Sequence, residues 1–523
     1  MSQQHKPLPI DVATFEIMIT DGYLYIDKTK HIYDLYGGKG RYYFLARPRR
    51  FGKSLLVSTL KELFSGNKKL FEGLWIDQSD WGWKQHPVIH LDFSTIAHET
   101  SVELKADLIR ALEKIGNAHN IDLSKAKTPS GKLQDLVEAL AKKEKVVILI
   151  DEYDKPIIDH ITNTPIANKN RDVLKSFYEV IKGLDEHLRA IFVTGVSKFS
   201  KTSIFSGINN LNDISQDPIA ASLLGYTQQE VEDYLTPYIT EMAATKGKSK
   251  QEILDEMKEW YNGYRFSEAQ VRVYNPFSVL YYLTKKKRAN YWFASGTPTF
   301  LMKLLKSNQE HLKDFSGSEV AESELGPFEL ENIPILSLLY QTGYLTIVDS
   351  FAKGNTDMYR LAYPNAEVRE SFSKCILVTL TQLREAEVVN NIFAIKDALV
   401  SNDIAKVCEY MRVLFAKIPS KMHIPLEHYY QSLFLNTFNV MGFDAKAEDP
   451  TDKGFIDMVI TTPHRLFVIE FKFNKPAQTA FDQINQKEYY QKYLDRGLPI
   501  TLAGIAFNYK NKKLALTFVE KQI

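Results

Sequence analysis

The chain has 523 residues, 44% hydrophobic and 25% charged, a length that suggests about three or four domains and a composition that excludes a disordered chain. Its 65 basic and 64 acidic residues nearly cancel, which excludes a global field for nucleic acid and leaves only local patches, such as Arg47 to Arg50 or Lys285 to Arg288. Two cysteines, Cys375 and Cys408, exclude a disulfide framework and a thiolate zinc site and fit a reducing compartment.

The N-terminus, MSQQHKPLPIDV, lacks the basic-then-apolar order of a signal peptide, and no apolar run approaches bilayer length. A cytoplasmic protein with no membrane partner is expected. The first motif is FLARPRRFGKSLL, residues 44 to 56. Gly52, Lys53 and Ser54 supply what a phosphate-binding loop needs: backbone N–H groups, a lysine against the phosphates and a hydroxyl for a metal. RYYFLA before it reads as a buried strand and SLLVSTLKELF after it as a helix, so the helix N-terminus would point at the anion. The loop opens on Arg47 where glycine is usual; Pro48 favours an extended residue before it, so Arg47 could continue the strand and still enter the loop. The other reading is a basic corner between strand and helix that binds nothing.

Strand signals at YYFLA, PVIHLDFS, VVILID and AIFVTG alternate with amphipathic segments, predicting a parallel sheet with helices on both faces. Val88 to Phe93 supplies a strand in the long gap between Lys53 and Asp151. Val146 to Ile150 reads as a strand buried on both faces that ends in Asp151 and Glu152 at the ligand-binding edge. There Asp151, with Ser54, would hold Mg²⁺, and Glu152 would polarise the attacking water. Acids that merely cap a strand for solubility are the alternative. Thr194 and Ser197, after the next strand, occupy a sensor-like position, or else form an ordinary polar loop.

Thr227 followed by Glu230 signals a helix N-cap opening a mostly helical stretch through WYNGYRFS. Residues 295–418 mix short helices with YQTGYLTIVDS, which suggests a winged-helix-like module, and then read as a helical bundle. Near the C-terminus an amphipathic helix carries Glu427, and three strand signals follow, FDAKAED, GFIDMVITT and RLFVIEFKF. Period-two geometry puts Glu470 and Lys472 on one face of a strand, with Asp457 on the strand before it. Two carboxylates and a lysine suit metal-assisted phosphodiester hydrolysis, the acids holding one or two Mg²⁺ (or Mn²⁺) ions. An exposed Glu–Lys salt bridge is the plainer reading.

GYLYIDKTKHIYDL, RPRRFGKS, LIDEYDKP, TGVSKFSKTSIFSGINNL, WYNGYRFS, VYNPFSVL, YQTGYLTI and YPNAEVRESF occur in one order along nearly the whole chain. In this the sequence resembles the AAA-ATPase-like proteins of bacteria and archaea that carry a C-terminal PD-(D/E)XK nuclease-like domain. The resemblance implies an α/β multidomain chain: a P-loop ATPase core at 1–225, a helical lid at 226–294, a mostly helical or winged-helix-like middle region at 295–418 and a restriction-endonuclease-like domain at 419–523. An arginine-rich opening of the loop is usual in that family. The implied nucleotide contacts are Arg47, Arg49, Arg50, Phe51, Gly52, Lys53, Ser54, Leu55, Asp151 and Thr194, with Glu152 catalytic; the implied nuclease set is Asp457, Glu470, Lys472 and Gln483, with Glu427 as a further metal ligand. ATP, Mg²⁺ and nucleic acid, DNA foremost, are the implied partners, a homo-oligomer is allowed, and a role in defence or mobile-element biology is compatible. The alternative is an ATP-controlled switch or scaffold whose C-terminal domain binds nucleic acid or a protein without cutting.

Overall fold

The computed structural model describes residues 5–199, 204–205, 208, 210–295, 315–419, 426–510 and 513–523. Parts of three sequence-defined regions, 200–203, 206–207 and 209 in the loop with Ser197, 296–314 in the middle region, and 420–425 and 511–512 in the region 419–523, lie outside them. The chain divides into two compact units, Met1–Gly296 with Gly317–Asn365, and Thr297–Ser316 with Ala366–Ile523.

The first unit is built on five parallel strands, β1 (Tyr42–Ala46), β2 (Val88–Asp92), β3 (Val146–Asp151), β4 (Leu188–Gly195) and the short β5 (Asn212–Asp213), in the order β2-β3-β4-β1-β5. All six residues of β3 are buried, which is why its run is apolar on both faces. Because every strand runs the same way, the residues after β1, β3 and β4 gather at one edge. Helix Lys53–Phe64 leaves that edge directly after β1, its N-cap Gly52 in left-handed backbone at φ 94° where a Cβ would be strained.

Thr227 and Glu230 form the expected capping box, opening helix Gln228–Lys246; a second box, Ser249 with Glu252, opens Lys250–Tyr261, and Asn275 caps Pro276–Lys285. The same unit holds a three-stranded antiparallel sheet, β6 (Ser318–Ala321), β7 (Thr346–Lys353) and β8 (Thr356–Ala362), in the order β6-β8-β7. Of the Lys285–Arg288 patch, Lys286 pairs with Glu241 and Arg288 lies over the Trp260 ring, so part of this charge is engaged within the fold.

In the second unit, helices Ala366–Thr381, Glu385–Val400, Ile404–Ala416 and Glu427–Val440 precede a mixed sheet of β9 (Asp444–Thr451), β10 (Gly454–Thr461), β11 (Leu466–Phe473), β12 (Ile500–Lys510) and β13 (Lys513–Gln522). The strand order is β13-β12-β11-β10-β9, and only β11 and β12 run parallel. Parallel neighbours need a crossover, which contains helix Ala477–Lys487. It lies against the sheet at Gly504, the β12 partner of Glu470, where a Cβ would stand 2.4 Å from the Phe481 backbone nitrogen.

Candidate active sites

At the strand-end edge of the first unit lies a cavity of about 500 Å³. Arg49, Arg50, Phe51, Gly52, Lys53, Ser54, Leu55 and Glu152 all line it, together with Lys155 and Asp154. Lys53 is 6% exposed and its Nζ donates to two loop carbonyls, Arg47 O at 3.0 Å and Pro48 O at 2.9 Å. Burial lowers its pKa, and Asp151, Glu152 and Asp154 pull it back up. A buried ammonium on a cavity wall, at a helix N-terminus, is suited to a phosphate group.

Asp151 is hydrogen-bonded by Ser54, accepts from the Glu152 N–H at 2.9 Å, and stands opposite Asp92 of β2. Burial raises the pKa of both Asp151 and Glu152. A hydroxyl and carboxylates beside one another form the all-oxygen donor set that Mg²⁺ takes. Glu152 holds left-handed backbone at φ 51°, an uncommon conformation for a residue with a Cβ and one that clusters at functional sites.

Two residues read as nucleotide contacts are turned elsewhere. Arg47 does continue the strand, its N–H reaching Gly195 O at 3.1 Å, but its side chain is 1% exposed. The guanidinium donates to Ala46 O, Ser215 O and Ala220 O and lies 4.2 Å over the Phe266 ring, so it joins β1 to the segment after β5 instead of reaching the cavity wall. Thr194 is fully buried, with Oγ1 donating to Leu45 O at 2.7 Å between two strands. The Phe51 ring likewise packs inward, against Tyr264 and Phe266. Asp154, not singled out from the sequence, accepts from the N–H groups of Val196 and Ser197 at 3.0 and 2.7 Å and ties the end of β3 to the loop after β4. Burial pushes its pKa up to about 6. The third acid of the run DEYD was its only signal, as the end of a strand was for Asp92.

The second unit carries the other cluster. The carboxyl groups of Asp457 and Glu470 share a hydrogen bond, and Asp457 Oδ2 also accepts from the Phe471 N–H at 2.7 Å. Glu470 is 1% exposed; Lys472 Nζ donates to it at 3.3 Å, and the Gln483 amide donates to the same oxygen. Glu427, at the start of its helix, accepts from the Phe473 N–H at 2.7 Å, with its other oxygen 4.0 Å from Lys472 Nζ. Burial raises the pKa of both Asp457 and Glu470, and for Glu470 the Asp457 charge adds to it. Two facing carboxyls that resist joint ionisation, in an all-oxygen set, fit a divalent cation that would relieve the repulsion. Asp457, Glu470, Lys472, Gln483 and Glu427 are thus brought together. Buried Tyr489 joins them through a hydrogen bond with Gln483, which nothing in its sequence context indicated.

Among the described residues, no three His, Cys, Asp or Glu side chains are grouped to hold a metal ion, and no helix is long and apolar enough to cross a membrane.

Residues 9–205 match the family described as Predicted AAA-ATPase, and residues 426–515 the PD-(D/E)XK nuclease superfamily. A relative from Azotobacter chroococcum mcd 1, described as "Uncharacterized protein in vnfD 5'region", is 37% identical over 527 residues, 98% of this chain and 99% of that one. The structure of the Aeropyrum pernix ORC1 protein in complex with DNA is 13% identical over 66% of this chain and 91% of that one, at a TM-score of 0.25.

Proposed function

We propose that this chain, which belongs to the AAA-ATPase-like family with a C-terminal PD-(D/E)XK nuclease superfamily domain, hydrolyses ATP and uses the cycle to control metal-dependent cleavage of nucleic acid, DNA foremost. On this reading residues 1–225 are the ATPase core, 226–294 its lid and 419–523 the nuclease, with 295–418 between them. Lys53 neutralises the triphosphate, and the N–H groups at the start of its helix cradle it. Ser54 and Asp151 would hold Mg²⁺ there. Glu152 orients the attacking water and takes up its proton.

In the nuclease, Asp457 and Glu470, with Glu427 beside them, would hold Mg²⁺ or Mn²⁺. Bound cations supply charge neutralisation of phosphate and a more acidic water. Lys472 stabilises the charge that develops on the phosphate, and Gln483 fixes the Glu470 carboxyl in place. The observation that carries this reading is the buried Glu470 carboxyl met at once by Asp457, Lys472 and Gln483 from three elements.

One observation favours a second reading, an ATP-controlled switch whose C-terminal domain binds without cutting: Lys472 and Gln483 already satisfy Glu470 internally. Calorimetric titration separates the two, since a domain that only binds has no need to take up Mg²⁺ through Asp457. Uptake in the wild type that is lost in Asp457→Ala supports the nuclease; equal behaviour of the two proteins removes it. For the ATPase, Lys53→Ala is expected to abolish ATP binding, and retained binding refutes the loop assignment.

A further inference from the structure

The outer wall of the cavity in the first unit is assembled from three separate segments. Arg50, in the phosphate loop, holds left-handed backbone at φ 64° and lays its guanidinium 4.8 Å over the ring of Phe277. Phe277 and Tyr281, one turn apart on helix Pro276–Lys285, have ring centroids 4.5 Å apart. Asp11, also left-handed at φ 60°, comes from the N-terminal segment; it accepts from the Tyr281 hydroxyl at 3.0 Å and stands 3.9 Å from Arg50 Nη1.

That segment is anchored on both sides. Before Asp11, Leu24 N–H donates to Pro7 O at 3.0 Å and the Tyr238 hydroxyl to Lys6 O; after it, fully buried Phe15 donates its N–H to Ser58 Oγ at 2.9 Å. Between the anchors Asp11, Val12 and Ala13 face the cavity.

We propose that Asp11 and Tyr281 form a clasp that holds Arg50 flat on Phe277, and that the wall so made receives the base of a nucleotide. A guanidinium stacked on a ring presents a flat, polarisable, cationic face, which suits a planar heteroaromatic base. The Asp11 carboxylate keeps Arg50 from swinging to the phosphates, which Lys53 serves. Asp11 and Tyr281 are therefore positioning residues for the base. The clasp deepens the ATP reading and rests on it.

Each contact is solvent-exposed, so removing either is expected to change affinity by about three- to tenfold and not to unfold the chain. The test is calorimetric titration of the full chain, with Mg²⁺ present, using ATP and inorganic tripolyphosphate as the two probes. Asp11→Asn and Tyr281→Phe are each expected to weaken ATP by that factor and leave tripolyphosphate unchanged. Their combination is expected to cost no more than the larger single effect, because both act through one clasp. Equal losses for ATP and tripolyphosphate, or no loss for ATP, overturn the clasp while leaving the ATP site standing. A wild type that binds neither probe overturns both.

Discussion

Glu470 is nearly unexposed, and burial, with the Asp457 charge second, pushes its pKa up to about 8. Between the ordinary carboxylate range and that value only the folded chain keeps this proton. The contribution is therefore present at low pH and lost as pH rises through the window. Thermal unfolding followed from about pH 6 to about pH 8 should show the wild type losing stability, while Glu470→Gln, which has no proton to lose, declines less. A divalent cation must displace the same proton, so Mg²⁺ affinity should rise with pH over this range in the wild type only. Arg47 makes a different prediction. With its Nη1 and Nη2 groups donating to three backbone carbonyls, Arg47→Ala should lower unfolding free energy by about 2–4 kcal/mol in denaturant titration without nucleotide, and Arg47→Lys should not restore it. Its proline-set backbone was legible from Arg-Pro; its side-chain direction was not, because the carbonyls it meets belong to residues 215 and 220, far along the chain.

Helix Ala477–Lys487 carries Gln483 to Glu470 only because Gly504 lets it approach the sheet. Gly504→Ala should push the helix away, cost about 1–3 kcal/mol in unfolding free energy, and reduce metal-dependent cleavage even though no site side chain has changed. Elements of this kind were legible where the pattern is local. VVILID announced a doubly buried strand, Thr227 with Glu230 a helix start, and GFIDMVITT with RLFVIEFKF a pair of strands. Gly504 was silent because the need for it arises from a residue more than twenty positions earlier. In the three-stranded sheet of β6 to β8 the pairing of β6 with β8 was silent for a similar reason: it joins Ser318 to Leu361, far along the chain. The helix start at Thr227 could be read, but not that the helix beginning at Pro276 would share a cavity wall with Pro9 and Asp11 to Ala13.

At the scale of the whole molecule, two compact units each bring acids and a buried or half-buried lysine together on a sheet: Lys53 with Asp151 and Glu152 at a strand end in one, Lys472 with Asp457 and Glu470 within paired strands in the other. The near balance of 65 basic and 64 acidic residues means that chemistry at these two places, not a general field, has to account for phosphate handling. An ATP cycle that governs cutting requires the Lys53→Ala protein to keep metal-dependent cleavage but lose its response to ATP. The most direct measurement is the fate of plasmid DNA incubated with Mg²⁺ or Mn²⁺, with and without ATP, for the wild type, Lys53→Ala and Glu470→Ala. The account predicts that the wild type cuts at a rate ATP alters, that Lys53→Ala cuts at a rate ATP leaves unchanged, and that Glu470→Ala does not cut. DNA left equally intact by the wild type and Glu470→Ala under every condition would contradict it.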